Sequence, residues 1–354
     1  MPPAVLVRRI DHNRPADRAI VVELLREHLA GMNVADDPEA RYRWLYLDNP
    51  HGAAVTYLAT DASTAVPAGM TSLFPRRVLV AGRVRVGSIG GDGFVRPEFR
   101  RRGIARQLHQ AAREGMRAEG DGSHGSHGSV GFMYGPPEPH NLKALLGAGS
   151  AVIGSVQRHL RLLSARSLSA GKVERGPLAG AVRRILRPPR ARFRLEALDG
   201  SSDHRVDRVF TQASDSAAVL PVLDADFCAW RFGRSPSGRQ RPFLVLDGKD
   251  PVAVAAVERN QGRAGLITLA CAPAFRTAAL RTLLDACRDA DTIEIQIHVP
   301  ASDLRRALLL LGFFPRERKP FQIQIAADHP DRTLLVREEG WSYSWGDGDV
   351  DRVL

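Results

Sequence analysis

The chain repeats itself at domain length. In its first half Trp44, Pro50, Gly52 and Asp61 occur in order, and in its second half Trp230, Pro236, Gly238 and Asp247 stand at the same offsets of six, eight and seventeen. Further on, Pro97-Glu98-Phe99-Arg100 is matched by Pro273-Ala274-Phe275-Arg276, each followed by an apolar, helix-like run. Each half then reaches Leu-Leu-Gly, at residues 145–147 and 310–312. Three matches in the same order imply a duplicated unit, so the 354 residues read as two copies of one fold. The seam lies at 164–200, where a Ser-, Gly- and Ala-rich stretch precedes a proline-broken basic run, and neither part carries a long apolar period. The expected organisation is a domain over 1–163, a linker over 164–200 and a second domain over 201–354.

Within a copy, strands alternate with helices. Short apolar runs bounded by Gly, Pro and Asp predict strands at Val5–Ile10, Val55–Ala59, Ala68–Phe74, Val84–Val95 and Val130–Tyr134. Helices are expected over Asp17–Leu29, Pro38–Leu47 and Asn141–Leu146. Residues Ile104, Ala105, Leu108, Ala111, Ala112 and Met116 follow the 3.6-residue period of an amphipathic helix over Ile104–Ala118. The second copy repeats the plan, with strands at Phe243–Leu246, Val252–Glu258, Gly265–Cys271 and Ile293–Val299 and a helix at Ala278–Arg288. The class is mixed α/β. Trp44 and Trp230 recur in both copies and read as packing between the early helix and the sheet.

Composition narrows the partners. Fifty Lys plus Arg against 39 Asp plus Glu give a formal charge of +11, which favours an anionic partner but does not choose between a nucleotide-like cofactor and nucleic acid. No run approaches the roughly 18 apolar residues of a membrane span, and the amino terminus lacks a signal-peptide pattern, so a cytoplasmic protein is expected. Cys228, Cys271 and Cys287 are far apart, with neither paired nor metal-like spacing, and read as thiols in or near a reduced core. His124 and His127 lie on a Gly-rich stretch over 120–129 with no third ligand nearby, so no metal is expected.

The informative segment is Val95-Arg-Pro-Glu-Phe-Arg-Arg-Arg-Gly-Ile-Ala105, between a strand and a helix. A helix amino terminus presents unpaired N–H groups and the positive end of the dipole, so phosphates dock there. Gly103 and Ala105 lack bulk, which permits close backbone approach, and Arg100, Arg101 and Arg102 add charge. The stretch resembles the acyl-CoA-binding signature of the GNAT acetyltransferase superfamily, Val-x-Pro-x-x-(Arg/Gln)-x-x-Gly-x-(Gly/Ala), at Val95, Pro97, Arg100, Gly103 and Ala105.

That resemblance implies two tandem domains, each a central mixed, mostly antiparallel twisted sheet flanked by helices. It implies acetyl-CoA or another acyl-CoA as co-substrate, with pantetheine along Phe94 and Val95 and the pyrophosphate on the N–H groups of residues 101–105, Ile104 included. It further implies direct acyl transfer to a small-molecule primary amine, with an oxyanion stabilised by backbone donors, a base for the amine proton and an acid for the thiolate. Many members carry Asn-x-x-Ala-x-x-x-Tyr after the next strand, the tyrosine acting as acid. Here Asn141 and Ala144 match, but the tyrosine position is Ala148. Tyr134 is the nearest replacement acid, and Asp92, Glu138 and His140 are candidate bases.

In the second copy Ala279 and Arg281 stand where Gly103 and Ala105 do in the first, so that copy is expected to have lost acyl-CoA binding. The tail, with Asp347, Asp349 and Asp351, resembles a Gly-Asp-x-Asp ending of tandem members and is a candidate cover for the acceptor pocket. Two other readings stay open: a non-catalytic acyl-CoA sensor or scaffold, and nucleic-acid binding through Arg183–Arg194, which lacks interleaved aromatics apart from Phe193 and ranks last.

Overall fold

A computed structural model of the protein describes residues 5–31, 37–119, 130–164, 191–214, 217–298, 302–326 and 328–348. The chain forms two compact units, one of Met1–Gly154 with Pro320–Glu338 and the other of Ser155–Lys319 with Glu339–Leu354. These are not two consecutive blocks meeting at a linker: residues 155–163 belong to the second unit and 320–338 to the first. Most of the expected linker, and the His124–His127 stretch, lie outside the described residues.

The first unit begins with β1 (Val5–Arg9), α1 (Pro15–Gly31) and the short helix α2 (Pro38–Arg41), which continues into a π-helical turn over Tyr42–Leu47. Strands β2 (Val55–Asp61), β3 (Pro67–Val80) and β4 (Arg83–Val95) follow, then α3 (Ile104–Glu119), β5 (Phe132–Gly135), α4 (Pro139–Gly147) and β6, which starts at Ala151 and ends at Leu162 in the second unit. Strands β1 to β4 pair antiparallel in sequence, and β5 joins β4 in parallel. The far side of β5 is paired antiparallel by Gln322–Ile325 from the late strand of the chain. A mixed, mostly antiparallel sheet results, as expected.

Helix α3 covers one face. Its buried Ile104, Leu108, Ala112 and Met116 pack with Val55, Tyr57, Ala59, Leu73 and Met133 of the strands. Gly115 sets how close the helix can come, because a Cβ there would lie 1.8 Å from the Tyr57 hydroxyl oxygen. A glycine that weakens a helix interior by about 1 kcal/mol relative to Ala is retained here by contact.

The second unit repeats the plan. Strands β7 (Arg194–Ala197), β9 (Gln240–Asp247), β10 (Asp250–Asn260) and β11 (Arg263–Cys271) pair antiparallel, and β12 (Thr292–His298) joins β11 in parallel. The last place is taken by residues 156–162 of β6, antiparallel to β12. Between β7 and β9 come α5 (Arg205–Ser214), β8 (Val219–Pro221) and α6 (Ala225–Cys228), and α6 again runs into a π-helical turn, Ala229–Gly233. Both π turns end on the same bond, from the N–H of Asp48 to Arg43 O and from that of Arg234 to Ala229 O. Trp44 and Trp230 sit inside these turns, 4% and 3% exposed, which makes them core residues. The unit also holds α7 (Arg276–Ala286) and α8 (Ser302–Leu310). The final strand β13 (Phe314–Ile325) starts in this unit and delivers residues 320–325 to the first, where α9 (Arg332–Leu335) follows. Cys228, Cys271 and Cys287 are free and buried, and burial pushes their thiols up to about 12, 11 and 11. No helix among the described residues is long and apolar enough to cross a membrane.

Candidate active site

Two features of β4 create the site in the first unit. The first is a bulge: Met70 faces Phe94 and Ser72 faces Gly91, so Asp92 and Gly93 together oppose Thr71. Asp92 takes the extra turn with φ +47°, a left-handed conformation that Asp tolerates better than bulky residues do. The second is a parting of strands. Pairing between β4 and β5 covers only Gly87–Ile89 with Phe132–Tyr134. Residues Gly90–Val95 therefore present an open edge, and Gly90 and Gly93 on it are exposed.

After Val95 the chain makes a 3₁₀ turn over Pro97–Phe99 and then the loop Arg100–Gly103 before α3 begins. Two loop residues are left-handed, Arg101 at φ +62° and Gly103 at φ +78°. The first bond of the helix runs from Gln107 N–H to Gly103 O, and among the described residues no backbone acceptor takes the N–H groups of residues 101–106. They form a nest at a positive helix end, the geometry that binds a phosphate. A Cβ on Gly103 would meet nothing within 4 Å, so the glycine faces open space. The three arginines do not act alike. Arg100 Nε donates to Val95 O at 3.0 Å and closes the loop, whereas the Arg102 guanidinium sits over the Phe99 ring at 5.2 Å. Ile104 is buried and anchors the helix start in the core, and Ala105 is half-buried.

The catalytic candidates fall in different places. Asp92 is buried: its carboxylate accepts from Arg41 Nη2 at 2.8 Å and Nε at 3.3 Å, and from the Tyr46 hydroxyl at 3.1 Å. Tyr46 in turn accepts from Ser72 Oγ at 3.2 Å, and burial beside the Asp92 charge pushes its phenol well above the usual range. Tyr134 is 1% exposed and packs against Phe132 and Phe321, so it is part of the core under the strand end. Glu138 caps α4 by position only, its side chain making no cap bond, and it is exposed, as is His140. Asn141 meets the buried His109 of α3 at 3.0 Å and ties the two helices together. Ala148, at the expected tyrosine position, is the buried C-cap of α4.

His28, which no sequence motif marks, also stands beside β4. It lies on α1 with its ring 5.6 Å from that of Phe94, and Asp92, Arg41 and His140 all act on it electrostatically. Lone histidines on helices carry no spacing signal, so only the tertiary fold reveals it.

The corresponding place in the second unit is built differently. Pairing of β11 with β12 stops at Leu266 and Ile295, so these strands part as well. The 3₁₀ turn Pro273–Phe275, however, passes directly into α7 at Arg276, with no intervening loop. Ala279 and Arg281 lie within that helix, Ala279 fully buried, so the cradle is absent because the helix starts early and not because side chains crowd a loop. The opening is also occupied. Ser344 bridges Ile297 antiparallel, and Ser344 Oγ donates to Thr268 Oγ1 of β11 at 3.2 Å. On the β12 side, His298 N–H donates to Tyr343 O and Trp345 Nε1 donates to Gln296 Oε1 at 2.6 Å. The tail thus lies between the parted strands of its own unit, beside a cleft of about 340 Å³ lined by Leu220, Leu269, Arg276, Asp303 and Trp341 among others. Asp347 caps the last turn through Ser344, and Asp349 and Asp351 lie outside the described residues.

A parted parallel strand pair, a bulged β4 and a glycine nest at the next helix thus lie together in the first unit. Residues 20–124 match the family model described as Acetyltransferase (GNAT) family, so this stretch of the first unit is similar to that family. No curated protein matches it in sequence. Among solved structures, it is similar to a GCN5-related N-acetyltransferase from Anabaena variabilis at 12% identity and TM-score 0.63, over 91% of this chain and 73% of that one. A GCN5-related N-acetyltransferase from Kribbella flavida gives 12% and 0.60, over 95% and 74%. Saccharomyces cerevisiae N-myristoyltransferase, solved with myristoyl-CoA, gives 12% and 0.56, over 99% and 85%. These likenesses extend the fold assignment to almost the whole chain.

Proposed function

We propose that the first unit binds an acyl-CoA, acetyl-CoA first among the candidates, and passes the acyl group directly to the primary amine of a small molecule. The observation that carries this reading is the open edge of β4 at Gly90–Val95 running into the unpaired N–H groups of residues 101–106. Pantetheine would lie along the edge at Phe94 and Val95 as an added strand, and the pyrophosphate would rest on the nest, with Arg101 adding charge. Tyr134 is enclosed by the aromatic rings of Phe132 and Phe321, which argues against it as the acid for the leaving thiolate.

In this reading the second unit is a degenerate copy. Its helix begins too early to form a nest, and its strand opening holds the tail. The resemblance to a structure solved with myristoyl-CoA makes a long acyl donor the alternative to acetyl-CoA.

Calorimetric titration of acetyl-CoA tests the proposal, with myristoyl-CoA as second donor. One site per chain and thiol release on adding an amine are expected. Two sites would refute the degenerate second copy, binding without thiol release from any amine would make the protein a sensor, and failure of both donors to bind would overturn the reading.

A further inference from the structure

Direct transfer to an amine needs a group that can take a proton at neutral pH near the reacting carbonyl. Asp92 is nearest in sequence, but both its oxygens already accept bonds from Arg41 and one from Tyr46. His28 is differently placed. Its ring touches Phe94 on the open half of β4, it is half-buried, and neither ring nitrogen is hydrogen-bonded among the described residues. The fold holds it there. Arg96, one residue beyond Val95, donates to Glu27 and Glu23 on the same turns of α1, at 2.5 Å each, and to Pro67 O at 2.9 Å. The two glutamates beside His28 are thereby committed to Arg96.

The groups that face the imidazole from other elements are Asp92 on β4, Arg41 on α2 and His140 on α4. Burial holds its pKa below the ordinary value, Arg41 and His140 push the same way, and Asp92 opposes them. A neutral imidazole with free lone-pair capacity is what a base for an amine requires.

We propose that His28 is the general base of the transfer, an inference that rests on the acyltransferase reading above. The amine lone pair forms the N–C bond at the thioester carbonyl while the carbonyl π electrons move to oxygen. The imidazole takes a proton from the amine nitrogen. Collapse of the tetrahedral species restores the carbonyl and breaks the C–S bond, and the departing CoA thiolate recovers that proton from the imidazolium. The products are the amide, free CoA thiol and a neutral His28.

The test is His28→Gln, assayed by thiol release from acetyl-CoA with glucosamine, lysine, tyramine and spermidine, alongside calorimetric binding of acetyl-CoA. The variant is expected to bind acetyl-CoA as the wild type does and to lose about 10²-fold or more in kcat/KM. The wild-type pH profile should show a limb with apparent pKa below 6.5, apart from the ionisation of the amine itself, and the variant should lack it. A variant within threefold of wild type that keeps the limb would overturn the assignment and leave the cofactor site standing. A wild-type protein that binds neither acetyl-CoA nor myristoyl-CoA, or that binds and releases no thiol with any of these amines, would remove the transferase reading and the base with it.

Discussion

Arg41 Nη2 lies 2.8 Å from Asp92 Oδ1 inside the first unit, with the two side chains 7% and 4% exposed. The aspartate makes this pair from a left-handed backbone at the centre of the β4 bulge. The ion pair therefore fixes both the α2 turn and the point where β4 bends away from its neighbour. Removing one partner strands a buried charge, which costs about 3–5 kcal/mol. Arg41→Met should lower the stability measured by urea unfolding by that amount, and Arg41→Met with Asp92→Asn should recover part of it. A loss under about 1 kcal/mol for the single variant would show that the pair does not hold the bulge.

Gly103 separates stability from binding. Its φ of +78° makes any side chain strained, by about 1–2 kcal/mol, yet a Cβ would find open space. Gly103→Ala should therefore lower the thermal midpoint by only a few degrees, and Gly103→Glu should do little more. On acetyl-CoA the two should diverge. Alanine reduces the approach of the pyrophosphate, and glutamate sets a negative charge among the N–H donors, so calorimetry should show a loss above about 100-fold for Gly103→Glu. Equal binding by wild type and Gly103→Glu would sink the nest as the cofactor site.

Much of this was legible in the sequence, because the features are local or periodic. The strand–turn–helix around Val95–Ala105 declared itself through proline, glycine and apolar spacing, and the duplication through matched offsets. Four strands gave no such signal, the short Arg194–Ala197 and Val219–Pro221 and the two long ones, Phe314–Ile325 and Ala151–Leu162. Phe314–Ile325 begins Phe-Pro-Arg-Glu-Arg-Lys-Pro and looks like a polar loop, but it pairs in sheets where charged side chains such as Glu317 meet Arg158. The alternation in Ala151–Leu162 is interrupted by Gly154 and by the polar His159 and Arg161, both buried. Because the two long strands cross from one unit to the other in sequence, no reading by consecutive blocks could assign them. The site's histidine was equally hidden. Nothing in the spacing of α1 distinguishes His28 until Phe94 is brought beside it.

His12 gives the first unit a pH dependence. Its ring nitrogen Nδ1 lies 2.8 Å from the Tyr42 hydroxyl, the ring is tilted against Tyr42 and edge-on to Tyr46, and burial lowers its pKa to about 4. In the unfolded chain it titrates near 6.5. Below that value the unfolded state binds a proton that the folded state refuses, so this contribution to stability is complete above about pH 6.5 and is lost as pH falls through 4. The urea midpoint should decline across that window, and His12→Phe should flatten the decline. An unchanged slope in the variant would assign the acid sensitivity to other groups.

The tail of the second unit supports a prediction about stoichiometry as well as stability. Trp345 Nε1 donates to Gln296 Oε1 at 2.6 Å, and Gln296 is buried, so Trp345→Phe leaves its amide oxygen without this donor at a cost of about 1–3 kcal/mol. Gly346→Val should cost more than that, because a Cβ there would stand 2.9 Å from Phe232 Cζ and 3.1 Å from Thr268 Cβ, both in the strand-and-helix wall behind the tail. Either change loosens the segment that fills the opening between β11 and β12. Acyl-CoA stoichiometry should nevertheless stay at one per chain in both variants, because α7 begins at Arg276 and leaves no loop of unpaired N–H groups to receive a pyrophosphate. A second calorimetric site appearing in Trp345→Phe would mean that the tail alone keeps this copy silent, and that the early start of α7 is no barrier to the cofactor.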